Sequence, residues 1–153
     1  MKDNTKKLQS LAEELLSLMS VKATAETSYD KENEAFVVNI DAGDENGLLI
    51  GKKGDTLSSL QTILGILLKQ HTGEWARVVV NIADYREKEE EYLKNLAQTT
   101  SDRAKTTGEP QSLYNLKPWQ RRVVHMVLAE ESGIETVSEG EGEERYLVIK
   151  PKK

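Results

Sequence analysis

Gly51-Lys52-Lys53-Gly54 separates the apolar run Leu48-Leu49-Ile50 from a long amphipathic helix pattern, and the reading of these four residues decides the fold. Two glycines let a loop approach another molecule closely, because neither carries a Cβ. The helix that follows offers N–H donors and a partial positive charge at its start, and Lys52 and Lys53 add two full charges. That combination attracts phosphate. A Walker A loop does not fit: three residues separate Gly47 from Gly51 instead of four, and Lys52 is followed by Lys53 rather than Ser or Thr. A G-x-G-x-x-G dinucleotide fingerprint is absent as well. What remains is G-x-x-G, a weak motif whose plain alternative is a tight turn carrying two solvated lysines. Leu48, Leu49 and Ile50 are a candidate apolar floor for bases.

The flanking pattern supplies the context. Upstream, Leu8, Leu11, Ala12, Leu15, Leu18 and Met19 repeat at helical spacing over residues 4–19, with Asn4 or Thr5 as cap. Residues 21–29 are β-prone, residues 30–33 form a turn, and Phe36, Val38 and Ile40 alternate as in a strand. Downstream, Leu57, Leu60, Ile63, Leu64, Leu67 and Leu68 mark one helix face, which Thr72-Gly73 ends. Residues 77–82 read as a buried strand. The order is helix, strand, strand, glycine loop, helix, strand.

A second unit opens at Asp84, where Asp84 and Glu87 have the spacing of a capping box. Tyr85, Tyr92, Leu93, Leu96, Ala97 and Ala104 carry a helix to about Thr107. A short strand over residues 111–115 and a helix begun by Pro118 follow, with Val124, Val127 and Leu128 on its buried face and Gly133 at its end. Residues 134–138 and 145–149 read as a hairpin around Glu139-Gly140-Glu141-Gly142-Glu143, an acidic tip that repels nucleic acid. Within this unit stands Lys117-Pro118-Trp119-Gln120-Arg121-Arg122-Val123-Val124-His125. Arg121 and His125 are one turn apart, roughly 40° around the axis, so both project from one face. Lys117 and Arg122 enlarge the basic patch. By itself, Arg-x-x-x-His describes many solvated helix surfaces. Trp119 and Trp75 read as packing residues.

Composition sets the outer limits. The 153 residues carry 21 Lys+Arg and 26 Asp+Glu, a formal charge of −5 that divides into −3 over residues 1–83 and −2 over 84–153. With 37% hydrophobic residues, one Phe and two Trp, the chain suits two small aliphatic cores better than one large one. No apolar run nears the roughly 18 residues of a membrane span. There are no cysteines and only two histidines, His71 and His125, far apart, so disulfides, thiolate metal sites and cysteine nucleophiles are excluded and a structural metal is not expected. No nucleophile elbow or lysine-bearing P-loop is present, which argues against an enzyme. Net acidity argues against nonspecific clinging to duplex DNA, leaving Lys52/Lys53 and Lys117/Arg121/Arg122 as the concentrated basic sites.

The element order around Gly51–Gly54 resembles the type II KH domain, α-β-β-α-α-β, with residues 47–50 as the short helix before the loop. From Tyr85 onward the chain resembles the R-three-H domain, named for its Arg-x-x-x-His spacing, down to the ending Glu144-Arg145-Tyr146-Leu147-Val148-Ile149-Lys150-Pro151. The two in tandem are characteristic of the bacterial Jag (SpoIIIJ-associated) family, to which nearly the whole chain is similar. The resemblance implies an α+β architecture, with a type II KH domain at residues 1–83 and an R-three-H domain (helix, strand, helix, β-hairpin) at 84–153. It also implies single-stranded RNA binding in the bacterial cytoplasm without cofactor, metal or membrane insertion. Gly51 and Gly54 would let the backbone of about four nucleotides approach. Lys52 and Lys53 would hold phosphates, and Leu49 and Ile50 support bases. Lys117, Arg121, Arg122 and His125 would form a second site for RNA or single-stranded DNA. Post-transcriptional regulation linked to cell elongation and division is implied, as is pairing as a homodimer or with a small KH-only protein (KhpA); on the rival reading, pairing is the main task and RNA is secondary. Two departures stand out. Nothing corresponds to the N-terminal Jag domain of family members, and Asn115-Leu116-Lys117-Pro118-Trp119 replaces a Met-Asn-Pro-Tyr type of helix start.

Overall fold

Burial of one face of each sheet governs both halves of the chain. The computed structural model describes residues 1–152, which fold as two compact units divided after Arg86. The division falls three residues beyond the expected Ala83, because Tyr85 packs against the first core.

The first unit runs α1 (Lys2–Leu18), β1 (Thr24–Asp30), β2 (Ala35–Asp41), α2 (Asn46–Ile50), α3 (Asp55–Thr72) and β3 (Arg77–Ile82). β2 is central, antiparallel to β1 and parallel to β3, with Val38 opposite Val80. Val38, Ile40, Val78, Val80 and Ile82 face the helices and join Leu8, Leu16, Leu60, Leu64 and Leu68 in one core. The outer face mixes Val37 and Val79 with polar side chains, and there Asn81 Nδ2 donates to Asn39 Oδ1 at 2.9 Å across the parallel pair. Each free edge is met by a glutamine from a helix. Gln9 Nε2 donates to the Ala25 carbonyl at 2.8 Å while its Oε1 accepts from the Thr27 N–H, and Gln61 Oε1 accepts from the Val80 N–H at 3.0 Å. Unpaired edge groups invite association with other strands, and these side chains satisfy several of them.

Several expected details change. α1 starts at Lys2 with Met1 as its unassisted cap, and the Thr5 hydroxyl donates back to the Met1 carbonyl instead of capping the helix. The buried stripe is Leu8, Ala12 and Leu16, with Leu18 exposed, because a four-residue step keeps those three nearly in line. On α3, Ile63 is half-exposed and Gly65 takes a buried place.

The second unit comprises most of α4 (Tyr85–Thr107), then β4 (Gln111–Leu113), α5 (Pro118–Leu128), β5 (Ile134–Glu139) and β6 (Tyr146–Pro151). Its sheet is antiparallel in the order β4-β6-β5, so the chain's last strand lies in the middle. Leu147 and Ile149 from β6 meet Leu93, Ala97, Ala104, Val124 and Leu128. Small side chains at 97, 101 and 104 let α4 lie close; Tyr92, read as part of the helix's apolar face, is exposed instead. α5 stops at Leu128, short of Gly133.

Between α2 and α3 the chain reverses within four residues. Gly51 has φ 71° and ψ −173°, a region essentially restricted to glycine, and Gly54 is left-handed at φ 78°. Lys53 between them also has positive φ, at 53°. A Cβ on Gly51 would lie 2.1 Å from Thr56 Oγ1. Gly51→Ala is therefore expected to cost about 1–3 kcal/mol or more in urea unfolding; an unchanged midpoint would show that the loop relaxes freely.

Entry into α2 is fixed by a carboxylate. Asp41 Oδ1 accepts from the Gly43 N–H at 2.9 Å and from Asn46 Nδ2 at 3.0 Å, and Asn46 Oδ1 accepts from the Ala42 N–H at 2.7 Å. The Gly43 N–H, then the Asn46 amide, hold the Asp41 carboxyl below its ordinary 3.8. A lowered folded value stabilises the fold above about pH 4, and that contribution fades as pH falls through the folded value. Asp41→Asn should accordingly flatten the decline of thermal midpoint between about pH 4 and 2, which a calorimetric pH series reads directly.

Candidate nucleic-acid interface

Two basic sites emerge, one in each unit. In the first, Lys52 and Lys53 are exposed, and neither side chain forms a hydrogen bond or ion pair among the described residues. They stand just before the first turn of the 18-residue α3, where N–H groups lack helical acceptors. Asp55 places one carboxylate in that turn against the two ammonium groups. Beneath the loop, the Tyr85 hydroxyl lies where a Cβ on Gly54 would come within 3.1 Å of it, so the loop sits directly on this ring. Tyr85 went unassigned in the sequence except as a helix residue; its only signal was its position just after β3.

The expected apolar floor is rearranged. Leu49 is fully enclosed, with 0% of its surface exposed, so it supports the loop from inside the core and has no face for a base. Ile50 is half-buried against the same core, and Leu48 is 63% exposed. Neighbouring positions on a helix differ by about 100°, which turns one leucine inward and the other outward. Leu48 and Ile50 are thus the apolar residues at the surface next to the loop. Trp75, expected to pack, is 66% exposed, and Lys69 Nζ sits 4.3 Å from the centre of its ring.

In the second unit, α5 brings Arg121, Arg122 and His125 to one cleft of about 280 Å³, whose remaining lining is Pro118, Ser138 and Arg145. Lys117 caps the helix in extended conformation. Its N–H donates to Gln120 Oε1 at 2.8 Å, one half of a capping box; the other half needs an acceptor, which a lysine side chain lacks. Gln120 is buried and its Nε2 donates to Glu89 Oε1 at 2.8 Å, binding α5 to α4. Arg121 Nη1 donates to the Leu116 carbonyl at 2.5 Å and to the Arg145 carbonyl at 3.3 Å. His125 Nδ1 is hydrogen-bonded to the Thr136 hydroxyl on β5. The motif pair is therefore also tied to the hairpin, a contact that helix spacing alone does not reveal. Trp119 is half-buried against the core. Tyr114 and Tyr146 stack at 4.9 Å with Tyr114 exposed, an aromatic surface not singled out in the sequence.

Among the described residues no group of His, Cys, Asp or Glu gathers as a metal site, and no helix is long and apolar enough to cross a membrane. Both sites gather basic side chains: Lys52 and Lys53 in the loop, and Arg121, Arg122 and Arg145 around the cleft.

Residues 5–82 match the family model described as KhpA/KhpB, KH domain, and residues 91–151 match that of the R-three-H domain. The RNA-binding protein KhpB of Clostridium symbiosum is 30% identical over 141 residues, covering 92% of this chain and 63% of that protein. KhpB of Lactiplantibacillus plantarum is 31% identical over 147 residues, 95% of this chain and 45% of that one. KhpB of Bacillus subtilis is 35% identical over 113 residues, 72% and 54% respectively. The chain thus spans between about half and two thirds of the length of these relatives. With a KH match over half of its length followed by an R-three-H match, the chain belongs to the KhpA/KhpB family of KH-domain proteins.

Proposed function

We propose that this chain binds single-stranded RNA in the bacterial cytoplasm, without cofactor or catalysis, as a post-transcriptional regulator linked to cell elongation and division. The KH unit and the R-three-H unit act as separate modules. The observation that carries the reading is the Gly51–Gly54 loop: two glycines at positive φ present two unpaired lysines at the start of a long helix. Gly51 and Gly54 admit the sugar–phosphate backbone, Lys52 and Lys53 hold phosphates, and Leu48 with Ile50 offers bases an apolar edge. Lys117, Arg121, Arg122 and His125 form the second contact site, for RNA or single-stranded DNA. The names of the relatives, RNA-binding proteins, support the same reading.

A second reading is favoured by the outer face of α3, where Ile63 and Ile66 are 42% and 43% exposed. There the protein pairs with another KH unit, its own copy or a small KH protein, and RNA binding is secondary.

Fluorescence anisotropy with a short unstructured RNA separates the two. If about four phosphates are neutralised, wild-type affinity should fall roughly fifty-fold between about 50 and 200 mM salt. Lys52→Asp/Lys53→Asp should keep its circular dichroism spectrum and lose most of the binding. Unchanged binding would move the site to α5. No binding by the wild type, with a dimer in sedimentation, would favour the pairing reading.

A further inference from the structure

We propose that Arg145 is a phosphate-contacting residue of the α5 cleft and that Arg121 positions it there. The inference rests on the reading that the chain binds single-stranded RNA, and it adds a residue that the Arg-x-x-x-His motif does not contain. In the sequence, Arg145 opens the second strand of the hairpin, directly after an acidic tip expected to repel nucleic acid. In the structure, it lines the same cleft as Arg121, Arg122 and His125.

Three guanidinium groups and an imidazole share about 280 Å³, and none of the lining residues is a carboxylate. Like charges brought together destabilise the fold, and a bound anion removes that repulsion. The acid nearest in sequence on β5 is committed elsewhere: Glu139 accepts from the Tyr146 hydroxyl at 3.0 Å and from Lys150 Nζ at 3.4 Å. The Arg145 side chain is exposed and has no hydrogen-bond or ion-pair partner among the described residues, so its donors remain available. The Ser138 hydroxyl, also lining the cleft, adds a neutral donor.

Arg121 is engaged differently. Its Nη1 donates both hydrogens to the carbonyls of Leu116 and Arg145, which fixes the guanidinium plane and clasps the base of the hairpin to the start of α5. Nε and Nη2 of Arg121 are left for an anion. Arg121 thereby fixes the backbone from which Arg145 reaches into the cleft, and a phosphate between them meets two guanidinium forks.

The test uses the full chain and a short unstructured RNA, comparing Arg145→Gln with Arg103→Gln, which removes the same charge from an exposed position of α4 outside the cleft lining. Arg145→Gln should lower the salt slope by about 0.7 and weaken binding about five-fold at 0.1 M salt. Its thermal midpoint should not fall below that of the wild type, because one like charge leaves the cluster, and Arg145→Lys should restore most of the slope. In an Arg121→Lys background, which keeps the charge but loses the double clasp, Arg145→Gln should cost clearly less than in the wild type. Equal, small effects of Arg145→Gln and Arg103→Gln would overturn the assignment of Arg145 while leaving RNA binding intact. An undiminished effect of Arg145→Gln in the Arg121→Lys background would overturn the positioning role. Absence of salt-dependent binding by the wild type would overturn both this inference and the functional reading beneath it.

Discussion

Parallel pairing of β2 with β3 is the constraint on which the first unit depends. Parallel neighbours cannot be joined by a tight hairpin, so the chain must leave the sheet, cross one face and return in the same direction. α2, the glycine loop and α3 are that crossover. Because α3 must bury Leu60, Leu64 and Leu68 against Val78, Val80 and Ile82, its start is held at a defined place, and the loop is forced to turn within four residues. The conformation this requires is open to glycine at positions 51 and 54 and strained at Lys53. A sharp turn held by packing is what brings bare backbone and two ammonium groups to one spot.

The same economy recurs at the periphery. Gln9 and Gln61 close edge positions of the first sheet, while Asn39 and Asn81 pair on its solvent face. In the second unit a buried Gln120 joins α5 to α4, and Arg121 and His125 join α5 to the hairpin. Polar side chains with functional potential are thus also the fasteners of the elements that display them, so substitutions at Arg121 or His125 report on architecture as well as on contact.

Much of this was legible in the sequence. The glycine spacing, the helix stop at Gly73, the strand alternation of Phe36, Val38 and Ile40 and the hairpin around the acidic run correspond to local rules with short range, and the structure follows them. The failures are equally physical. α2 has five residues, too few for a period to tell the inward Leu49 from the outward Leu48. In α1, two interleaved leucine rows compete, and the tertiary core selects the row through Leu16. Arg145 was hidden because it follows an acidic tip, and the charge of a neighbouring segment does not show where the first side chain of the next strand points. Tyr85 lies under the loop because β3 ends beside it, a contact between residues about thirty positions apart that no local pattern records.

The central claim is that phosphate docks on the backbone of the Gly51–Gly54 loop at the start of α3. Amide NMR spectra recorded while a short unstructured RNA is added test it most directly, because each loop N–H reports on its own surroundings. The account predicts that the amides of Gly51, Lys52, Lys53 and Gly54 shift most within the first unit, with those of the sheet's solvent face nearly still. Loop amides that stay fixed while RNA saturates the protein would contradict it.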